Sequence, residues 1–428
     1  MSKETWGRIV RDYLELELPK LIERDIPFEF PEINRAIAII GPRRAGKTYF
    51  MFQIIRNLLK SIEKEKTLYI NLEDFRLESI KLKDMEFLLE IFYEIFPENA
   101  RRACYFFLDE VQNLEGWEKF VRFLLDRGQK VFVTGSSSKL LSKELATVLR
   151  GRSIAIHVFP FSFKEVLRAR NIEVGKHLST YEEAAVKNIL EEYIRWGGYP
   201  ESVLYPEKKR DILREILDVT IFRDVVERHG IRNLKALRLT ILGAAKSAYL
   251  TVSRLYKNIK GLGIEVGKTA LANYIEYLND CLVIFPLKSF TKSYKKVEIS
   301  PFKPYLVDNG LLTTLGVEDE SRLLENLVFT ELLKRGYEPN YSLYYYKTER
   351  SDEVDFLLKG NGGFDGLIQV TSELSEENYD REVKSLVSAG RELRCKNLVV
   401  LTKDQEERIK VAGFEVKVTP IWRWLLER

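Results

Sequence analysis

Residues Ala36-Ile37-Ala38-Ile39-Ile40-Gly41-Pro42-Arg43-Arg44-Ala45-Gly46-Lys47-Thr48 decide the fold of this chain. Five consecutive apolar residues suit a strand covered on both faces, and such strands belong to parallel sheets. The rest of the stretch matches G-x-x-x-x-G-K-[ST], and Thr48–Glu63 continues with helical spacing. Glycines let backbone N–H groups approach phosphate oxygens with no Cβ in the way. The N-terminus of the following helix adds a dipole that favours an anion. Gly41, Pro42, Arg43, Arg44, Ala45, Gly46, Lys47, Thr48 and Tyr49 are therefore the expected ATP-binding residues. Lys47 is expected to reach the β- and γ-phosphates, and Thr48 to hold Mg²⁺ through its hydroxyl.

Tyr105-Phe-Phe-Leu-Asp109-Glu110 ends a second apolar strand with two carboxylates, 62 residues beyond Lys47. Such a pair is commonly a solvated turn, but beside a phosphate loop it acquires two roles. Asp109 is expected to bind Mg²⁺ through its water shell, and Glu110 to polarise the attacking water. A further strand, Val131–Thr134, runs into Thr134-Gly135-Ser136-Ser137-Ser138. A polar residue there would stand between the two motifs, with Ser136 the first choice for sensing the γ-phosphate or the water. Arg150-Gly151-Arg152 offers a charge-neutralising arginine, Arg152, acting in its own chain or on a neighbouring subunit. A surface salt bridge is the competing role for Arg152.

Thr67–Asn71 is one more apolar strand, and Trp117–Asp126 a helix, completing the alternation of a parallel α/β domain. Length suggests about three domains. The expected divisions are 1–165, 166–300 and 301–428. The apolar share of 45% supports sizeable cores, and the charged share of 31%, with only five Gln, suggests a heat-adapted cytoplasmic protein. Three cysteines (Cys104, Cys281, Cys395) and three scattered histidines fit neither a disulfide framework nor a His-based metal site. The charged N-terminus lacks the apolar run of a signal peptide, and no stretch reaches the ~18–20 apolar residues of a membrane span.

The pattern changes at Phe159–Glu165, where a proline and clustered aromatics suggest the chain leaving the sheet. Helices are expected from Thr180 to about Leu250, broken at Trp196-Gly197-Gly198-Tyr199-Pro200. The aromatics Phe159, Phe161, Phe163, Trp196 and Tyr199 suit a core better than a base-stacking platform. Thr251 to Ser289 then reads as helix, glycine turn, helix and strand, the order of a winged helix-turn-helix. From Ile231 to Pro304 there are 13 Lys and Arg against 4 Asp and Glu, a local +9 in a chain that totals +4. A field concentrated in this way suits nucleic acid. Lys257, Lys260 and Lys268 are the expected phosphate contacts, with helix Lys268–Asn279 entering a groove. The run Lys292, Lys295, Lys296 reads as a wing or a wet loop. After residue 301 come a helix at Leu323–Arg335, strands at Tyr341–Lys347, Glu353–Leu358 and Gly366–Thr371, a helix at Arg381–Ser388 and a strand at Asn397–Leu401.

Together GPRRAGKT, FFLDEVQNLEGWEKF, VTGSSSKLLSKELATVLRGR, FPFSFKE and RWGGYPESV resemble the prokaryotic AAA-type ATPases common in archaea. YLVDNGLL (Tyr305–Leu312) and ENLVFTELLKRG (Glu325–Gly336) are similar to the start of that family's last domain. The resemblance runs from Ile37 to about Leu401. It implies an α/β fold: a P-loop AAA-type parallel-sheet ATPase domain, a helical and winged-helix middle, and a C-terminal α/β restriction-endonuclease-like domain. Lys47, Thr48, Asp109 and Glu110 carry over as the ATPase site, followed by Ser136 and Arg152.

A nuclease of the PD-(D/E)XK type needs an acidic residue on a helix, an Asp on a strand, and [DE]-x-K on the next strand. Glu325 and Asp355 fit the first two positions. Gln369-Val370-Thr371 stands where the family often has Glu-Val-Lys, so a neutral amide replaces a carboxylate and no lysine follows. Asp365 is nearby but out of register. A vestigial site of Glu325, Asp355 and Gln369 is expected, on a domain that does not cut.

The expected activity is Mg²⁺-dependent ATP hydrolysis by a protein acting on or near DNA. The chain is expected to assemble as a homo-oligomer, a ring being the form known among AAA-type ATPases, with a further protein partner and no membrane. A slow nucleotide switch that recruits proteins, and an ATP-regulated nuclease, are the alternatives.

Overall fold

The computed structural model describes residues 2–29, 33–135, 149, 151–175, 178–291 and 300–427. The chain divides into two compact units, Met1–Phe159 and Pro160–Arg428.

The first unit is an α/β layer structure around five strands: β1 (Ala36–Ile40), β2 (Thr67–Asn71), β3 (Tyr105–Asp109), β4 (Lys130–Thr134) and β5 (Ser153–His157). They lie in the order β2-β3-β4-β1-β5, and every pairing is parallel. All five residues of β1 are buried, as its unbroken apolar run requires. Ile39, Phe107 and Phe132 of neighbouring strands meet Phe50, Met51 and Ile55 of the helix Lys47–Leu58 in one core. Within it the rings of Phe107 and Phe132 stack with centroids 4.5 Å apart. Because the sheet is parallel, the strand ends Ile40, Asp109 and Thr134 share one edge. β4 lies between β1 and β3, so the end of β4 stands between the phosphate loop and the acidic pair.

The N-terminal stretch, although charged, forms a helix at Lys3–Glu15. Ser2 caps it by accepting from the Thr5 N–H, and Trp6, Val10 and Tyr13 are its buried face. Apolar residues three and four apart make it amphipathic, so a high charge fraction hides a core-facing stripe.

The second unit begins with helices at Phe163–Ala169, Thr180–Trp196 and Lys209–Val219, the last prolonged by a π-helical stretch, Thr220–Glu227. Helices at Leu234–Lys246, Val252–Gly261 and Lys268–Asp280 follow. Gly263, with φ of +72°, turns the chain between the last two. The strand β6 (Ile284–Leu287) then pairs antiparallel with β7 (Lys303–Leu306). This pairing joins residues on both sides of residue 300.

Six strands complete the unit: β8 (Leu343–Lys347), β9 (Glu353–Gly360), β10 (Gly363–Val370), β11 (Leu398–Thr402), β12 (Glu407–Val411) and β13 (Phe414–Pro420). Their order is β12-β13-β11-β10-β9-β8, parallel across β10-β11-β13 and antiparallel elsewhere. The helix Ser385–Leu393 covers one face through Leu386 and Val387. The helix Glu320–Lys334 is buried almost all round, from Arg322 to Leu333. The hairpin β12-β13 and the helix Ile421–Leu426 have no counterpart in the sequence expectations.

Motifs far apart in sequence close on a buried polar knot in this unit. The Asp308 carboxylate accepts from the N–H groups of Gly198 (2.7 Å) and Gly310 (2.8 Å). A Cβ on Gly197 would overlap that carboxylate, 1.9 Å from its Oδ1. The Asn309 side chain donates to the Ile194 and Leu323 carbonyls. RWGGYP and YLVDNGLL are thus two halves of one packing joint.

Candidate functional site: a phosphate loop facing an acidic strand end

The loop after β1 is shaped by three positions. A Cβ at Gly41 would come within 2.0 Å of the Val158 carbonyl, so only glycine fits against the exit of β5. Arg44 and Gly46 take left-handed backbone angles, φ 60° and 95°. Gly46 is the N-cap of the helix Lys47–Leu58 and supplies no side-chain cap, which leaves that helix start to an external anion. The buried Lys47 donates to the carbonyls of Gly41 and Pro42, each at 3.2 Å. Its ammonium therefore lies within the loop, at long and weak hydrogen bonds. Behind the loop, Arg24 donates to the Ala45 carbonyl at 3.0 Å, and its own backbone is clamped by Gln53.

Across the same edge, buried Asp109 accepts hydrogen bonds from three hydroxyls. Thr48 donates at 2.8 Å, Tyr69 at 2.9 Å, and Thr134 makes the third. Thr134 also accepts the Glu110 N–H at 3.0 Å. One hydroxyl at the end of β4 thus fixes both members of the acidic pair. Glu110 sits in the left-handed region, φ 54°. A non-glycine residue there stores strain, and such strain is concentrated at functional sites. Gln112 donates to Glu110 at 2.5 Å. Burial pushes the Glu110 carboxyl above its usual range, partly offset by the Lys47 ammonium. Burial and the Asp109 carboxylate raise the Tyr69 phenol strongly, so it stays a protonated donor.

Thr48 and Asp109 present hard oxygens side by side, as Mg²⁺ prefers. Among the described residues no cluster of three His, Cys, Asp or Glu could hold a metal by itself.

The sequence expectations fall unevenly on this geometry. Lys47, Thr48, Asp109 and Glu110 come together, while Tyr49 is exposed on the first turn of the helix. Ser136 lies outside the described residues, as do Lys292, Lys295 and Lys296. Arg152 precedes β5, whose Ser153 pairs with Ala36, so it stands at the edge opposite the phosphate loop. Five residues of strand, about 16 Å, separate the two edges. There Arg152 pairs with Asp126 at 2.5 Å, half exposed, as in its competing role of a surface salt bridge. Thr134 and Tyr69 were not anticipated. The signal for Thr134 was its place as the polar last residue of β4, whereas Tyr69 read only as part of an apolar strand.

In the second unit Lys257, Lys260 and Lys268 are all exposed. The ammonium groups of Lys260 and Lys268 both approach the Tyr256 ring, 5.7 and 5.5 Å from its centroid. The end of one helix and the start of the next thus gather on one aromatic.

Glu325 and Asp355 also meet, around a residue that sequence reasoning missed. Lys303 of β7 is buried and lies 2.8 Å from Glu325, 2.8 Å from Glu353 and 2.8 Å from Asp355. Burial opposes the ammonium, but the Asp355 and Glu325 carboxylates hold its pKa well above the ordinary lysine value. Glu325, which burial alone would raise, is brought below the usual carboxylate range by Lys303 and Arg322. Tyr305 donates to it at 2.5 Å. The Gln369 Oε1 accepts the Asp355 N–H at 3.1 Å, which makes it a brace between β10 and β9.

The pattern of an AAA domain matches residues 33–167, and two domains of unknown function match residues 187–321 (DUF8612) and 320–424 (DUF4143). The uncharacterized protein MJ1544 of Methanocaldococcus jannaschii is 40% identical over 437 residues, covering 99% of this chain and 96% of that protein. An uncharacterized protein of Haemophilus influenzae is 29% identical, covering 92% and 95%. Among solved structures, the Walker-type ATPase paby2304 of Pyrococcus abyssi is 15% identical, with a TM-score of 0.43 over 74% of this chain and 96% of its own. The Aeropyrum pernix ORC1 protein in complex with DNA is 13% identical, with a TM-score of 0.29 over 73% and 90%. The chain belongs to the family of MJ1544, and its first unit is an AAA domain with the fold of a P-loop ATPase.

Proposed function

We propose that this protein binds and hydrolyses ATP with Mg²⁺ at the edge of the five-stranded sheet. The observation that carries the proposal is the hydrogen bond from Thr48 to Asp109, which joins the phosphate loop to the acidic strand end. When bound, Mg²⁺ would sit against these two oxygens and offset phosphate charge. Lys47 would leave the Gly41 and Pro42 carbonyls for the β- and γ-phosphates. Glu110, held by Thr134, would take the proton of the attacking water. Its raised pKa brings it nearer to working pH, as a general base requires. Glu110→Gln tests the assignment: ATP binding kept with hydrolysis lost supports it, and unchanged hydrolysis refutes it.

The position of Arg152 favours completion of the site by a neighbouring copy, in a homo-oligomer such as a ring. An isolated chain would then turn over slowly and behave as a nucleotide switch that recruits a protein partner.

DNA is the proposed polymer. The three helices between Leu234 and Asp280 and the β6-β7 pair have the order of a winged helix. Lys257, Lys260 and Lys268 would contact phosphates beside Tyr256. The C-terminal sheet with Glu325 and Asp355 is read as nuclease-like and non-cutting. Three buried free cysteines suit a cytoplasmic location, and among the described residues no helix is long and apolar enough to cross a membrane.

A further inference from the structure

Lys303 is the best-buried amine of the second unit's charged clusters, with 4% of its side chain exposed. It comes from β7, while the carboxylates come from the helix Glu320–Lys334 and from β9. An ammonium has three N–H donors; here it donates to Glu325 and to Asp355, each at 2.8 Å, and pairs with Glu353 at the same distance. The rings of Tyr249 and Tyr345, with centroids 5.7 and 5.9 Å from Nζ, wall the same point. A Mg²⁺ ion bound to these carboxylates would need oxygens at ~2.0–2.1 Å, so they would close in on the point that the nitrogen now fills.

We propose that the Lys303 ammonium is the resident cation of the Glu325–Glu353–Asp355 centre and keeps it closed to divalent metal. The proposal deepens the non-cutting reading of the C-terminal domain and rests on it only for the choice of metal as the competing occupant. Two further features agree. Gln369, which would have to be a metal ligand in a working centre, is spent on the Asp355 amide. The Asp355 Oδ2 accepts the Val370 N–H at 3.0 Å, leaving Oδ1 for the lysine. The centre is thus satisfied with its own chain's cation in place.

The test is a Mn²⁺ titration of the full-length, nucleotide-free protein, followed by the electron paramagnetic resonance signal of free Mn²⁺. Four proteins are compared: wild type, Lys303→Met, Lys303→Ala, and Lys303→Ala combined with Asp355→Asn. The expected result is one Mn²⁺ per chain gained by Lys303→Ala and lost again in the double variant. The same stoichiometry in wild type and Lys303→Ala would overturn the proposal, as would folded Lys303→Ala and Lys303→Met that bind no more Mn²⁺ than wild type. If Lys303→Ala folds only with Mn²⁺ present, the ion has replaced the ammonium and the proposal stands. A chain that stays unfolded in millimolar Mn²⁺ counts against it. A separate plasmid assay isolates the underlying reading: Mg²⁺-dependent cutting by wild type, abolished by Asp355→Asn, would sink both. The Mn²⁺ result without cutting can sink only the closed centre.

Discussion

Two buried lysines face carboxylates in this protein, and they are built to opposite ends. Lys47 lies close enough to Glu110 to offset its burial and hydrogen-bonds two backbone carbonyls at 3.2 Å. Lys303 meets three carboxylates at 2.8 Å. Long bonds to neutral acceptors are cheap to exchange for a phosphate, whereas short charge-assisted ones are not. The carboxylates differ in the same sense. Asp109 is satisfied by neutral hydroxyls that can turn to a metal or to water, while Glu325 and Asp355 are neutralised by a fixed charge. In the first centre the metal-facing carboxylate is held by hydroxyls, and in the second the carboxylates are held by a charge of their own chain.

The largest stability effect should come from breaking the committed centre. Lys303→Ala leaves buried carboxylates uncompensated and should cost about 3–5 kcal/mol in the absence of a replacing ion. Denaturant unfolding of the variant without divalent metal measures this, and a loss below about 1 kcal/mol would remove the contrast with Lys47. Asp308 sharpens the comparison, because it is a buried carboxylate held by amides and no hydrogen-bonded cation. Burial pushes it up to about 6, with the Gly198 and Gly310 N–H groups and the Lys334 charge only partly offsetting. A carboxyl raised in the folded state favours folding at low pH, so its contribution falls as pH climbs from about 4 to about 6. The share is on the order of 3 kcal/mol. Melting temperature against pH should therefore lose a component over that window in Asp308→Asn, and parallel curves would contradict the assignment.

Thr134→Val probes the exchangeable centre more gently. It removes a donor to Asp109 and strands the Glu110 N–H, a cost of about 1–3 kcal/mol, so turnover should fall by about tenfold or more. Full activity in this variant would leave Glu110 without its fixing group. The smallest effects belong to the exposed lysines. Replacing Lys257, Lys260 or Lys268 with Ala should lower the slope of log affinity for DNA against log salt by about one each. Slopes unchanged in all three would take DNA contact away from these helices.

The exchangeable centre was the more legible of the two in sequence, for a physical reason. A phosphate loop is local: eight residues carry the turn, the lysine and the magnesium hydroxyl, and a strand ending in Asp109-Glu110 supplies the rest. Parallel strands with helices between them followed from apolar runs. The committed centre joins residues 22 and 52 positions apart, and Lys303 sits in FKPYLV, where a lysine in an apolar strand reads as a solvated or snorkelling side chain. Nothing local marks it as an internal cation. Thr134 was hidden differently: its strand was visible, but only the order β3-β4-β1 decides which strand-end hydroxyl stands between the motifs, and Ser136 was the competing choice. Sequence distance does not say at which edge of a parallel sheet Arg152 stands, and β5 begins at the edge opposite the phosphate loop. The helix Lys3–Glu15 was obscured by its charge density, although its buried stripe is regular.

The most direct test of the central claim is steady-state ATP turnover of wild type and Glu110→Gln, with nucleotide affinity measured on the same samples. The account predicts Mg²⁺-dependent hydrolysis by wild type, rising with pH through a pKa above the usual carboxylate range. The variant should keep its affinity and lose about 10²–10⁴-fold in rate, the share that a general base supplies. A variant that hydrolyses ATP as fast as wild type, or a wild type that binds no nucleotide, would contradict it.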